Sequence, residues 1–343
     1  MNVSNGLEGV VAAETRLSMV DGERGELVIG GFRVEELASW RFEDVVELLW
    51  GFAPPRAHVR PPRGGGLKPA LHLMDALRAG VAQLSADDDR HAAALLLWSC
   101  PAIVAAHWRA SRGQEPVAPR EDLGLAANYL WMLNGAEPHE EIVRGLETYL
   151  NTVVDHGLNA STFTARVITS TGSDFVSAIT GAIGALKGPL HGGAPGPALD
   201  MVFEIGDASR AEEVLRRKIA SGERLMGFGH RVYKVRDPRA DVLAAAAERM
   251  FTRAGDMRLY DLARAVERTA LRLLEEHKPG RRLQTNVEFY TALLLHGIGL
   301  DTALFTPTFA IGRVAGWIAH CFEQRAEGRL IRPQSRYVGA MPA

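Results

Sequence analysis

Apolar residues recur at three- and four-residue spacing through most of the chain, the period of helices with one buried face. The windows 33–51 (RVEELASWRFEDVVELLWG), 121–135 (EDLGLAANYLWMLNG) and 210–222 (RAEEVLRRKIASG) are rich in Ala, Leu, Glu and Arg, all strong helix formers. Each ends in glycine (Gly51, Gly135 and Gly222), the residue that best accepts the left-handed backbone of a helix stop. Strand alternation is confined to residues 17–31 (LSMVDGERGELVIGG), where Asp21-Gly22 and Gly25 predict a small hairpin. Strands do not alternate with helices, which excludes a doubly wound sheet, and the fold class read from the pattern is all-α. Residues 53–68 (APPRAHVRPPRGGGLK) read as a Pro/Gly loop. After HGGAPGP (191–197) the helices become longer and more charged, as in 240–255 and 260–278. This shift predicts a smaller helical domain, residues 196–290, set between the two parts of a larger one, residues 1–195 and 291–343, with 170–190 and 291–320 in the large core.

Composition narrows the classes. A formal net charge of −2 and a pI near 6.6 give no global field for nucleic acid or an anionic membrane. The longest uncharged apolar run, between His91 and His107, is interrupted by Ser99 and Pro101 and is too short to span a bilayer. It predicts a buried helix or a bent pair. The N-terminal stretch lacks the basic and apolar regions of a signal peptide. Cys100 and Cys321 lie in apolar helical contexts without ligand spacing, as buried thiols do in a reducing compartment. The expected location is the cytoplasm. Arginine supplies 34 of the 39 basic residues, which fits either a GC-rich coding bias or several anion-binding guanidinium groups.

The candidate chemistry lies in histidines next to glycine: His156 in DHGLNAST, His191 in LHGGAPG, His230 in FGHRVYK and His296 in LHGIG. Glycine beside histidine allows the backbone to approach a ligand closely. Taken singly, each histidine reads as readily as a hydrogen-bonded structural group, and HGIG also reads as a plain helix end. The stretch 227–239 packs His230, Arg231, Lys234, Arg236 and Arg239 together behind Gly227 and Gly229, either as an anion-binding turn or as a solvated basic loop. Gly181 and Gly184, in the helix before HGGAPG, allow close helix packing. Arg313 lies in an apolar helix without a local acid, and Arg332 follows in LIRPQSRYVG; an uncompensated buried guanidinium suggests a bound carboxylate. Glu288 in TNVEFY heads an apolar run where a charge is costly unless it is used. Metal spacing, a G-x-S-x-G elbow and a dinucleotide fingerprint after a strand are all missing. The remaining inventory of histidines, arginines and one acid suits a polyanionic substrate and proton abstraction beside a carbonyl.

Seven stretches in order, AANYLWMLNGAEP, DHGLNASTFTARV, GALKGPLHGGAPG, MGFGHRVYKVRDPR, TNVEFY, LFTPTFAIGRVAGWIAH and IRPQSRYVG, with the N-terminal GLEGVVAAETRLSMVDGERGELVIGG, resemble the citrate synthase family over nearly the whole chain. The resemblance implies a mostly helical homodimer whose small domain closes over the site, with no cofactor and no metal. It implies that His191 donates to the thioester oxygen of acetyl-CoA, that Glu288 removes the acyl α-proton, and that His230 polarises the oxaloacetate carbonyl. His156, Arg239 and Arg313 are implied to hold oxaloacetate, with Arg332 reaching the partner subunit's site. Ser161 would orient His191, with Asn159 beside it, and Lys234, Gly192 and Gly193 would contact coenzyme A. The resemblance begins within a few residues of the chain's start, which favours a plain dimer. The implied activity is citrate synthase; the alternatives are 2-methylcitrate synthase, using propionyl-CoA, and a weak or inactive ligand-binding paralogue. Two positions depart from the common pattern. Pro195-Gly196 replaces Asn-Glu after HGGA, and Glu288 stands where Asp is usual, extending the carboxylate by about 1 Å.

Overall fold

A computed structural model describes residues 5–7, 9–62, 72–192, 196–230 and 232–342. Gly193, Pro195, Arg231 and the latter part of the 53–68 loop lie outside the described residues.

The helical periods become helices: 59% of the chain is helical, and among the described residues the strands form one small sheet. The sheet is more than the expected hairpin. Strands β1 (Ser18–Asp21) and β2 (Glu26–Ile29) pair antiparallel with Asp21 opposite Glu26, and a third strand, β3 (Phe32–Arg33), joins β2. The addition follows from Gly30 and Gly31, whose φ of 57° and 92° turn the chain straight back onto β2.

Helices α1 (Val34–Leu37), α2 (Phe42–Trp50) and α3 (Leu73–Val81) lead to α4 (Asp89–Ser111). The apolar run is therefore a single long helix containing Pro101, not a bent pair. It is long and apolar enough to cross a membrane, but 83% of its apolar window is buried by other elements, as in a core helix. Next come α5 (Leu125–Asn134), α6 (Glu140–Val153), α7 (Ala160–Ser170) and α8 (Phe175–Leu186). The more charged part follows as α9 (Gly196–Ile205), α10 (Ala211–Ala220), α11 (Pro238–Ala254) and α12 (Arg258–His277), and the chain returns through α13 (Val287–Gly297) and α14 (Phe305–Glu327). Gly51 and Gly135 cap α2 and α5 in the left-handed conformation, as the sequence predicts.

Helix α14 organises the core, packing on α2, α4, α6, α7 and α8. Its closest approach is at Gly316, where an added Cβ would stand 2.1 Å from the Val154 carbonyl oxygen, so only glycine fits. Gly181 serves α8 in the same way, since a Cβ there would meet Ile168 of α7 at 2.4 Å; Gly184 makes no such close contact. Helix α11 packs on α13 and α6, which brings the charged segment against the chain around residues 149–156. Cys100 and Cys321 are buried free thiols, both pushed up to about 12 by burial.

Candidate active site

A cavity of about 800 Å³ opens where α6, α7, α11, α13 and α14 converge. Its lining includes His156, Asn159, His191, Gly192, His230, Arg239, Glu288 and Arg313. The sequence singled out all eight.

His191 follows α8 in a turn and faces the start of α7. The Ser161 backbone N–H donates to His191 Nε2 (3.3 Å), and Ser161 Oγ lies 2.8 Å from the same nitrogen. A nitrogen that accepts cannot carry the proton, so the neutral ring holds it on Nδ1. Ser161 is fully buried and fixed from two more sides: its Oγ lies 2.8 Å from Asn159 Oδ1 and accepts from Trp317 Nε1 (3.1 Å). Asn159 is the N-cap of α7, accepting from the Thr162 N–H. Burial, and next the charge of Arg313, lower the His191 pKa to about 4, so His191 is a neutral Nδ1–H donor at physiological pH.

His230 is fixed the opposite way round. The backbone N–H groups of Val232 and Tyr233 both donate to its Nδ1 (3.0 and 3.1 Å), which puts the proton of the neutral ring on Nε2, where Arg239 Nη2 stands 3.4 Å away without an acceptor to meet. Burial first, then Arg239, lower its pKa to about 4. The turn that makes this possible has Gly227 and Gly229 at φ of 87° and 81°. A Cβ on Gly227 would also stand 2.9 Å from the Phe289 Cβ. His156 Nε2 lies 3.1 Å from the Tyr233 hydroxyl, and burial, then Arg239 and Arg313, hold its pKa well below the ordinary histidine range.

The segment carrying His230 is zipped to the segment carrying Glu288. Gly229 N–H donates to the Gln284 carbonyl (2.7 Å), Asn286 N–H to that of Gly227 (3.0 Å), and Asn286 Nδ2 to that of Gly229 (2.8 Å). Asn286 is also the N-cap of α13, accepting the Glu288 N–H (2.9 Å). The Glu288 carboxylate has no hydrogen-bond partner among the described residues, and burial raises its pKa against the opposing pull of Arg224 and Arg239. It is a carboxylate left free to take a proton.

Both ends of TNVEFY are anchored on Glu267 of α12, a contact that the sequence did not disclose. This buried carboxylate accepts from Thr285 Oγ1 (2.7 Å) and the Tyr290 hydroxyl (2.5 Å), and from Arg236 (2.7 Å) and Arg264 (2.9 Å). Burial alone would raise its pKa, but these donors together lower it.

The two buried arginines differ. Arg239 is held in a bidentate pair by Asp237, Nε to Oδ1 at 3.0 Å and Nη2 to Oδ2 at 2.8 Å, and its Nη1 is uncommitted among the described residues. Arg313 donates Nε to the Val153 carbonyl (2.6 Å) and stacks on Phe309, its guanidinium carbon 4.7 Å from the ring centre. No described residue accepts from either of its Nη atoms, and burial lowers its pKa to about 10. Such a group can bind an anion. Nearby, Asp155 is fully buried and bonded to His320 and the Ser18 hydroxyl, which also accepts the Gly157 N–H (2.9 Å) and so ties the 155–157 loop to β1.

The remaining site residues named from sequence stand apart. Lys234 is exposed and does not line the cavity; its N–H donates to the Gly22 carbonyl (2.8 Å). Arg332 is exposed on the segment after α14, away from the cavity of its own chain. His296 ends α13 at the surface against Phe203, the plain helix end already described. Tyr149, Tyr233 and Asp237 carry no distinctive sequence signal, because a lone tyrosine in an amphipathic helix and an acid before Pro look like core and cap. Among the described residues no group of three or more potential ligands could hold a metal ion.

A family model described as "Citrate synthase, C-terminal domain" matches residues 6–62 and 63–334, and the chain belongs to the citrate synthase family, acyltransferases that use acetyl-CoA as substrate and need no cofactor. It is 40% identical to the citrate synthase of Haloferax volcanii over 98% of this chain and 96% of that protein. It is also 38% identical to a 2-methylcitrate synthase of Mycobacterium tuberculosis over 98% and 91%. Among solved structures it superposes on the ternary complex of citrate synthase from Thermoplasma acidophilum with carboxymethyl coenzyme A and oxaloacetate, with a TM-score of 0.87 and 30% identity over 100% of this chain and 97% of that one.

Proposed function

We propose that this enzyme condenses acetyl-CoA with oxaloacetate and hydrolyses the resulting citryl-CoA to citrate and coenzyme A. The observation that carries the reading is the pairing of two oppositely oriented neutral imidazole donors with one free carboxylate in a cavity that also holds two buried arginines. The Glu288 carboxylate takes a proton from the acyl α-carbon. The electron pair moves onto the thioester oxygen, where the His191 Nδ1–H stabilises the developing charge. The enol carbon then attacks the keto carbon of oxaloacetate, whose oxygen gathers charge against the His230 Nε2–H. Arg239, Arg313 and His156 hold the two carboxylates, and water finally cleaves the thioester.

In this reading residues 196–290 form a small domain that closes over substrates bound against the large domain, residues 1–195 and 291–343, and excludes water from the site. The working form is a cytoplasmic homodimer in which Arg332 completes the partner's oxaloacetate site, and Lys234, Gly192 and Gly193 contact coenzyme A. The likeness to a 2-methylcitrate synthase supports the second reading, propionyl-CoA as acyl donor, since the same acid and base groups serve both thioesters. Thiol release with oxaloacetate and each thioester separates them: a higher kcat/KM with acetyl-CoA is expected, and a higher value with propionyl-CoA transfers the assignment. Bound oxaloacetate without coenzyme A release from either thioester overturns both.

A further inference from the structure

One polar group of the cavity has no partner in the account above. Tyr149, on α6, is 2% exposed, and its hydroxyl makes no hydrogen bond to any described residue. Other buried tyrosines are served: the Tyr129 hydroxyl meets Thr308 Oγ1 at 3.0 Å, that of Tyr233 meets His156, and that of Tyr290 meets Glu267. A buried hydroxyl left unpaired costs free energy, so a fold keeps one where something else will satisfy it.

Its surroundings say what that is. Tyr149 lines the cavity with Arg239 and Arg313, close enough for both guanidinium charges to act on its phenol. Four residues on, the Val153 carbonyl receives Arg313 Nε, so one face of α6 presents both the phenol and the anchor of the arginine. Two nearby acids are already occupied, Asp237 by Arg239 and Asp155 by His320 and Ser18, which leaves Glu288 as the free carboxylate of the lining. Around the phenol the space is thus positive and carries spare N–H donors and one spare O–H, and the phenol makes no bond to the free Glu288 carboxylate of the same lining. Burial pushes the phenol well above its usual range, so it remains a donor at any physiological pH.

We propose that the Tyr149 hydroxyl donates a hydrogen bond to a carboxylate oxygen of the dicarboxylic keto acid held between Arg239 and Arg313, making Tyr149 a substrate-binding residue. This rests on the reading of the cavity as the oxaloacetate site. Tyr149→Phe keeps the ring and removes only the donor. Because a hydrogen bond to a charged group contributes about ten- to hundredfold in affinity, oxaloacetate binding measured calorimetrically without acyl-CoA should weaken by that factor. The KM for acyl-CoA should stay within about twofold, and the thermal midpoint without ligand should be equal or higher, since an unpaired hydroxyl has been removed. Unchanged oxaloacetate affinity overturns the inference, and so does a lowered ligand-free midpoint, which would mark the hydroxyl as structural. If the wild-type protein itself binds no oxaloacetate, the reading of the cavity falls first, and that result is distinguishable from a variant that alone binds normally.

Discussion

Glu288 combines two demands that conflict at a single residue. Placed second in α13, its charge is favoured by the helix N-terminus, yet burial raises its pKa and leaves the carboxylate without a described hydrogen-bond donor. The residue is costly to the fold and useful to a base. The sign of the cost is testable. A carboxyl whose folded pKa lies above the usual 4.5 holds its proton more tightly when folded, so stability is lost as pH rises through the folded value. Glu288→Gln, neutral at every pH, should therefore be more stable than wild type in urea unfolding at pH 7, with the difference vanishing near pH 4. The same raised pKa places the acid limb of kcat/KM above the ordinary glutamate value. His191 and His230, lowered to about 4, should add no limb between pH 5 and 8. A histidine-like limb near 6.5 would contradict the neutral-donor assignment. The extra methylene is also testable, because a backbone already set for glutamate makes Glu288→Asp retract the carboxylate by about 1 Å and lose about a hundredfold in kcat. A faster Asp variant would mean that the backbone has made no such adjustment.

Among the elements, the site depends on pairings that no single segment reveals. The short antiparallel contact between residues 227–229 and 284–286 links the His230 turn to the start of α13, and Glu267 pins both ends of TNVEFY. The motifs themselves were legible, because glycine next to histidine and an acid at a helix start carry their chemistry locally. Their partners were not, since Glu267 sits in an amphipathic helix where one glutamate looks like any other. The third strand leaves no sequence signal for a related reason: Phe32–Arg33 is too short to show alternation. Helix α14 offers the sharpest test at this scale. Gly316→Ala sets a Cβ against the Val154 carbonyl, where no side-chain rotation can relieve the contact. Overpacking of this kind costs about 1–3 kcal/mol, and the shift should also weaken oxaloacetate binding, because Arg313 is anchored one residue earlier on Val153. Unchanged unfolding and binding would show that α14 can move away freely.

For the whole molecule, the helical class followed from periodicity alone, and the convergence of five helices on one cavity required the fold. Arg332 is exposed, and so are Leu330, Tyr337, Val338 and Met341 on the same segment; under the proposed homodimer this segment reaches the partner. Mixed dimers bearing Arg332→Ala in one chain and His191→Ala in the other should keep about half the sites, because one site retains both groups when Arg332 acts across the interface. Two dead sites would place Arg332 in its own chain's site. The central claim concerns the base, and the most direct measurement is coenzyme A release by Glu288→Ala with oxaloacetate and acetyl-CoA, alongside its oxaloacetate affinity. Loss of general-base catalysis predicts a fall in kcat of about 10²- to 10⁴-fold with oxaloacetate affinity retained. Turnover at the wild-type rate would contradict the assignment of Glu288 as the residue that takes the proton.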